Sequence, residues 1–374
     1  MKRKEERTVK DRLFSVVIPA YGGRDIWRAA VDSVLAQDYP AIELIFADDC
    51  TPGYDVEPVR AYIEENRREN LLRWQVVRHP ENLGTVKNFR AAHALCTGHY
   101  LTHIAMDDAY CDETVLSRYA KALENKPQDA VGVYAKSVVC DEDLKSLGYV
   151  SFDTEMAQRM NDMDADGQLG EIARRCCIHM GATAFVRDEF MALGDFDTDY
   201  RLIEDWPFFL HAALAGKRLH YVDFDAIFYR NGGVTDAKFS SRTKKICCMD
   251  HIRLHERLIL PGLGRLPIVR QMQVYYKYAL DRMDMAFIYG RMSEMGAAER
   301  TGKYWKYLPM EALAMARRKW RYVIVWLVCM AALLLLGQGA ASCALCTLLI
   351  AAAGAGAEHV RCGQVRKKLE EGKI

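Results

Sequence analysis

The chain has 374 residues, of which 51% are hydrophobic and 27% charged, and its formal net charge is +1. That length suits two domains, or one large α/β domain with an appendage, and the near-neutral balance excludes a general nucleic-acid binder. The 12 cysteines follow no framework spacing: Cys176-Cys177 and Cys247-Cys248 are adjacent, and Cys343 and Cys346 lie inside an apolar run, so the thiols read as reduced and cytosolic.

In chain order, residues 1–12 are charged and lack an apolar core, so they do not read as a secretory signal and the soluble part is expected in the cytoplasm. Phe14 to Ile18 is a short apolar run closed by Pro19, the pattern of a buried first strand. Asp25 to Ala36 has helical spacing, with Ile26, Ala30 and Val34 on one face. Ile42 to Ala47 is a second strand, Val56 to Asn70 a charged helix and Leu72 to Arg78 a third strand. Thr85 to Cys96 is helical, with Gly98 placed as its C-terminal cap. Tyr100 to Met106 is a fourth strand ending on Asp107-Asp108.

Further on, Val131 to Val139 reads as a strand, and 141–170 as a polar, turn-rich and mobile loop. Met180 to Val186 is a strand starting from a tight turn. Leu202 to Ala215 carries Glu204-Asp205 and then a helix stopped at Gly216, and Leu219 to Arg230 contains another strand. From about Ser241 to Arg321 the pattern is amphipathic and helical, broken at Pro261-Gly262. Val323 to Ala357 holds no charge and divides at Gly337-Gln338-Gly339. Each arm is short for a spanning helix, which needs about 20 apolar residues. Basic residues flank both ends, and 312–321 combine Leu313, Met315 and Trp320 with four basic groups. The expectation is an interfacial helix leading into a transmembrane or re-entrant hairpin with both ends on the cytoplasmic side. A buried helical pair of a soluble oligomer is the alternative.

Alternating strands and helices imply a mostly parallel sheet with right-handed crossovers. Ligands of such sheets bind outside the carboxyl ends of the strands. Asp48-Asp49 and Asp107-Asp108 both fall there, where adjacent acids repel and are poor structural choices. Carboxylates in a crevice attract hard divalent cations, and Mg²⁺ or Mn²⁺ commonly bridge them to substrate phosphates. Asp107 and Asp108 therefore point to a metal-bound diphosphate, and Asp48 or Asp49 to a base or ribose. A solvated turn remains the plain reading of either pair, and a helix start that of Glu204-Asp205.

Val16-Val17-Ile18-Pro19-Ala20-Tyr21, Ser33 to Pro40, Ile42 to Ile45 running into Asp48-Asp49-Cys50-Thr51, Asn82-Leu83-Gly84 with Asn88, Gly98 to Leu101, Asp107-Asp108 and Glu204-Asp205 together resemble a family 2 glycosyltransferase of bacterial cell-surface polysaccharide type. The resemblance covers about residues 14–235 and implies a GT-A fold: an α/β, Rossmann-like domain of mostly parallel sheet flanked by helices. It implies inverting transfer from a nucleotide-sugar, usually a UDP-sugar, with Mn²⁺ or Mg²⁺ as cofactor. Pro19, Ala20, Tyr21, Asp48 and Asp49 then line the nucleobase pocket. Asn82, Gly84, Lys87, Asn88 and Arg230 join the donor site, with Arg230 closing over the diphosphate. Asp107 corresponds to the second acid of the family's DxD motif, whose first acid falls at Ala105. Asp107 and Asp108 hold the metal, and Asp205, beside Glu204, is the general base.

The expected organisation is a charged segment 1–12, a catalytic domain 13–235, a helical extension 236–322, a hairpin 323–357 and a basic tail 358–374. Anchorage at the cytoplasmic face of the inner membrane suggests a lipid-linked glycan acceptor, and a homo-oligomer stays open. The alternatives are an NDP-sugar nucleotidyltransferase, which lacks its basic Gly-rich loop here, and a nucleotide-binding scaffold without turnover. His179, near where acceptor-site residues tend to lie, His211 and the strand residue His103 read as packing or core histidines.

Overall fold

The computed structural model describes residues 12–22, 26–230, 241–287, 309, 310, 313, 317, 320–335, 339 and 342–351. By compactness the chain divides into a unit ending at Lys238 and one beginning at Phe239.

The first unit is built on β1 (Phe14–Ala20), α1 (Trp27–Leu35), β2 (Ile42–Asp48), α2 (Glu57–Asn66), β3 (Leu71–Arg78), α3 (Thr85–His93) and β4 (Tyr100–His103). Strands β3, β2, β1 and β4 lie side by side and run parallel. β2 is buried along its whole length and β1 along nearly all of it, as expected of parallel strands covered on both faces. Pro19 lies within β1, not after it. The pairing of β1 with β4 stops at Val17–His103, whereas that with β2 continues to Ala20–Asp48, so Pro19 needs a partner on one side only. Trp27 of α1 meets Phe46 at 6.3 Å and Tyr62 of α2 at 5.4 Å between ring centroids, closing that side of the core.

The unit continues with β5 (Ala109–Tyr110), α4 (Val115–Asn125), β6 (Ala130–Cys140), β7 (Ser146–Val150), α5 (Thr154–Met160), α6 (Ala165–Arg174), β8 (Thr183–Val186), α7 (Arg187–Ala192), α8 (Asp205–Leu214) and β9 (Arg218–Arg230). The strand order is β3-β2-β1-β4-β8-β6-β9-β5, with β7 on β6. β8 runs antiparallel to β4 and β6, β5 antiparallel to β9, and β7 antiparallel to β6. The sheet is therefore mixed, not mostly parallel; its parallel half is the part that alternates strand and helix in sequence. Residues 141–170 are not a loop. Asp141 turns the chain by accepting from the amides of Asp143 and Lys145, which starts the β6–β7 hairpin. Asp153 and Asp164 then cap α5 and α6 through Met156 and Gly167 amides, the capping chemistry that polar residues supply.

Gly98 caps no helix, since α3 ends at His93. A Cβ there would lie 2.6 Å from Ser15 Oγ and 2.7 Å from Leu13 O. The close approach serves the buried Glu43, which accepts from Ser15 Oγ at 2.6 Å and from Thr97 N at 2.7 Å, while Gly98 N donates to Ser15 Oγ. A buried carboxylate persists only when so satisfied.

In the second unit, α9 (Ser241–Leu254) runs into a π-turn at His255–Ile259, and α10 (Ile268–Phe287) follows the break at Pro261-Gly262. Tyr278 of α10 donates to Glu256 at 2.6 Å. α11 (Trp320–Leu335) and the helix over 342–351 lie against each other where Trp326 Nε1 donates to Thr347 Oγ1 at 2.9 Å. Among the described residues no helix is long and apolar enough to cross a membrane. α11 has 16 residues, about 24 Å against a hydrocarbon core of about 30 Å. This overturns the expected hairpin anchor and, with it, the placement at the face of an inner membrane. The expected tail 358–374, segment 1–11 and most of 312–319 lie outside the described residues.

Candidate functional site

The carboxyl end of β2 supplies the first acidic pair. Asp48 is fully buried; its Oδ2 accepts from Thr51 N at 3.0 Å and lies 3.3 Å from Arg78 Nε, while Oδ1 has no partner. Cys50 follows at φ +58°, a left-handed conformation costly for a non-glycine residue, and this turns the chain away from the strand tip. Thr51 Oγ1 in turn accepts from Gly22 N at 2.9 Å, next to the exposed Tyr21 and the strand-end Pro19 and Ala20.

Asp49 is a clamp. Its Oδ1 accepts from Leu83 N at 2.7 Å, its Oδ2 from Gly84 N at 2.9 Å, and its carbonyl from Asn82 Nδ2 at 3.2 Å. Burial nonetheless pushes its carboxyl above the usual range, against those two amides. Gly84, at φ +84°, begins α3 and has no room for a side chain beside Arg201. Asn88 is buried and structural: Nδ2 donates to Ala47 O at 3.0 Å and Oδ1 meets His79 Nε2 at 2.9 Å. Lys87 is exposed on the same helix. Of the expected donor residues, Asp49, Asn82, Gly84 and Asn88 thus form one cradle at the strand tip.

Asp107 and Asp108 do not end β4. That strand stops at His103, and the acids sit in a turn closed by Asp108 N on Ala105 O at 3.0 Å. Asp108 is 1% exposed; its Oδ1 accepts from Arg230 N at 3.0 Å, and its Oδ2 is without a partner. Burial, then the neighbouring Asp107, push its carboxyl well up, and burial raises Asp107 too. Arg230 opposes both shifts. It arrives at the end of β9 and is fixed by donating from Nε to Asp107 O at 2.8 Å and from Nη1 to Glu142 O at 2.6 Å. The expected closing residue is therefore beside the second acid pair, and β5–β9 pairing carries it there.

Glu204 precedes α8 and Asp205 is its first residue. Asp205 Oδ1 accepts from Trp206 N at 2.6 Å, and Oδ2 faces the Cys176 thiol at 3.4 Å. Burial is the leading cause that raises both carboxyls; the Asp205 charge adds to the rise at Glu204, which lies well above its usual range. Of the two, the rise at Glu204 has the neighbouring charge as an added cause. Trp206 locks α8 to α6 by donating from Nε1 to Ile172 O at 2.7 Å.

Strand pairing relates the first two acidic pairs, and one hydrogen-bonded link ties the first to the third. β1 pairs in parallel with both β2 and β4, so the first two pairs leave the same edge of the sheet. Arg201, three residues before Glu204, donates to Asn82 Oδ1 at 3.0 Å and accepts through its carbonyl from Val86 N at 3.5 Å. Sequence reasoning passed over Arg201, Arg78, His79 and Cys176. None belongs to a motif in the sequence, and only long-range pairing shows what each does. His179 is half-buried; desolvation lowers it to about 4, and it packs edge-on to Tyr229. His211 is half-buried in the last turn of α8, and burial lowers it. His103 is a core residue: its Nε2 meets His93 Nε2 at 2.8 Å, and His93 Nδ1 meets Asp195 at 2.7 Å. Among the described residues no group of three His, Cys, Asp or Glu side chains is placed to hold a metal ion.

The profile of glycosyl transferase family 2 matches residues 15–178. The chain is 25% identical over 222 residues to the uncharacterized glycosyltransferase EpsJ of Bacillus subtilis (strain 168), covering 58% of this chain and 61% of that protein. It is 22% identical over 262 residues to a PGL/p-HBAD biosynthesis glycosyltransferase of Mycobacterium bovis (strain BCG / Pasteur 1173P2), covering 69% of this chain and 92% of that protein. The match thus spans about three fifths of the length of the Bacillus relative. Among solved structures, a mannosyltransferase from Pyrobaculum calidifontis, in complex with GDP-Man and Mn²⁺, is similar at a TM-score of 0.50 and 16% identity over 82% of this chain and 85% of that one. S. aureus TarS 1–349 in complex with UDP is similar at 0.48 and 14% identity over 82% and 91%. Residues 15–178 thus carry a glycosyl transferase family 2 domain, and the curated relatives that the chain resembles are glycosyltransferases.

Proposed function

We propose that this protein transfers a sugar from a nucleotide-sugar, a UDP-sugar by family resemblance, to a hydroxyl of a glycan acceptor with inversion at the anomeric carbon. The observation that carries the reading is the setting of Asp205: one carboxylate oxygen accepts from the Trp206 amide at 2.6 Å, and the other meets the weak Cys176 thiol donor at 3.4 Å. A hydroxyl is a weak nucleophile until a positioned carboxylate takes its proton. Asp205 Oδ2 takes it as the acceptor oxygen attacks, and its burial-raised proton affinity suits that role.

Donor binding follows from the strand tip. The unpartnered Asp48 Oδ1 is a buried acceptor suited to an N–H of a nucleobase, and Tyr21 offers an exposed ring beside it. Asp49 orders the 82–84 loop, and Arg230 supplies a fixed positive charge for the diphosphate. A divalent ion fits the remaining pair: Asp108 Oδ2 is a buried oxygen without a partner, and one or two carboxylates plus phosphate oxygens are the usual Mg²⁺ or Mn²⁺ set. Asp107 and Asp108 would hold it, and it would supply charge neutralisation at the leaving diphosphate. The lipid-linked acceptor expected from the sequence loses the anchor on which it rested.

Thermal melts with UDP-, GDP- and dTDP-sugars, with and without Mn²⁺, test the reading. A nucleotide-sugar that raises Tm and is consumed with release of its nucleoside diphosphate supports it. Stabilisation without any turnover favours the scaffold, whose observation is Ala105: a methyl stands where the family carries a carboxylate. Failure of every nucleotide-sugar to bind would remove both.

A further inference from the structure

We propose that Cys176 is a positioning residue for Asp205, its single thiol proton alternating between the Asp205 carboxylate and the Ile178 carbonyl as the base changes charge. The proposal rests on the reading of Asp205 as the base. Cys176 Sγ lies 3.4 Å from Asp205 Oδ2 and 3.3 Å from Ile178 O, both within reach of an S–H donor. A thiol has one proton, so it satisfies one of these acceptors at a time. An ionised carboxylate is the stronger acceptor, so the proton goes to Asp205 while that residue carries charge. Once Asp205 has taken the acceptor's proton, the advantage disappears and the thiol turns to Ile178 O. The acceptor's proton ends on the Asp205 carboxyl and the thiol keeps its own; only the S–H torsion changes, and no oxidant or reductant takes part.

The surroundings fix this geometry. α6 ends at Arg174, and the Trp206–Ile172 bond of 2.7 Å locks α6 against α8, so the segment after α6 is set against the start of α8. The vicinal pair is split: Cys177 Sγ turns to Met160 Sδ at 3.9 Å, leaving Cys176 alone on the base. The titratable and charged groups set around this contact include Glu204 beside Asp205, Cys177, Arg175 directly before Cys176, and on α6 Glu171 with Arg174, which pair with each other at 3.4 Å. Burial first, and the Asp205 charge next, hold the Cys176 thiol well above its ordinary range, so it stays a donor. Oδ1 is already fixed by Trp206 N at 2.6 Å, and the thiol completes the orientation of Oδ2. A weak S–H donor holds the carboxylate in place and leaves it basic, whereas a hydroxyl would stabilise the charge more and lower its basicity.

Two readings test the proposal. The first is the pH dependence of kcat/KM for UDP release from the UDP-sugar that is turned over. Cys176→Ala, which removes a donor to the charged form, should move the acid limb to higher pH by roughly half to one unit, and Cys176→Ser should move it to lower pH. Superimposable profiles for wild type and both variants would overturn the proposal while the base reading stands. The second needs no turnover: the infrared S–H stretching band of Cys176, taken as wild type minus Cys176→Ala. It should shift between acidic and alkaline pH, and the shift should be absent in Asp205→Asn. A band that ignores both pH and Asp205→Asn overturns the proposal. Wild-type turnover by Asp205→Asn would instead remove the base, and the catalytic half of the proposal with it.

Discussion

Arg201 donates from Nη2 to Asn82 Oδ1 over 3.0 Å, across 119 positions of sequence. The contact ties the segment that leads into Glu204-Asp205 to the loop clamped by Asp49. Orientation of two reacting groups is a major source of rate, and here one side chain connects the Asp49-clamped loop, proposed to bind the donor, with the approach to Asp205, the proposed base.

Arg201→Ala should therefore act on the donor more than on the fold. Arg201 is exposed, and surface changes of this kind stay within about 0.5 kcal/mol of stability. Loss of one hydrogen bond to the cradle, about 0.5–1.5 kcal/mol, should raise the donor KM roughly two- to tenfold. Steady-state kinetics beside a denaturation curve checks both; an unchanged KM would show that the cradle does not depend on the link.

Asp49→Asn replaces one of two amide-accepting oxygens with an NH₂ group that faces a donor. Leu83 N or Gly84 N is then left unpaired, at a cost of about 1–3 kcal/mol. Chemical denaturation should show that loss, and isothermal titration should show weaker nucleotide binding. Full stability in the variant would contradict the clamp.

Burial holds the Glu204 carboxyl well above its ordinary range. A carboxyl raised on folding binds its proton more tightly in the native state. Its contribution to stability is complete below the unfolded value of about 4.3 and declines as pH rises through the folded value. Wild-type stability should thus include a falling component from about pH 4 upward, and Glu204→Gln should flatten it. Denaturation midpoints across a pH series measure the two slopes; equal slopes would contradict the shift.

Gly98→Ala puts a Cβ 2.6–2.8 Å from Ser15 Oγ, Leu13 O and Ser15 N. Two of these are backbone atoms that move only with β1, so the substitution should cost about 1–3 kcal/mol. Thermal denaturation reads the loss, and an undiminished Tm would show that the edge of β1 yields.

The alternating half of the sheet was legible because parallel strands buried on both faces read as apolar runs, and β1, β2 and β3 are found within two residues of where Phe14, Ile42 and Leu72 place them. β4 was drawn too long. Its apolar pattern continues through Ile104 and Met106, but its hydrogen bonds end at His103 and a turn takes over. Residues 141–170 were misread because short helices capped by Asp153 and Asp164 look like polar loops when their buried faces carry few large apolar side chains, Met160, Leu169 and Ile172, among small or polar ones. The acids of the site stood out as adjacent pairs. Asp49 was singled out by its place at a strand end, but its role as a clamp depends on amides 34 and 35 positions away. The apolar run at Val323 was read as a membrane hairpin from composition. Only the structure shows that α11, as described, runs over 16 residues, Trp320–Leu335.

The central claim is that Asp205 removes the acceptor's proton. The most direct measurement is single-turnover transfer by wild type and Asp205→Asn at saturating donor, with donor affinity measured in parallel. The account predicts a rate lower by about 10²–10⁴ in the variant, with donor Kd unchanged. A variant that transfers at the wild-type rate, or one whose loss is entirely in donor binding, would contradict it.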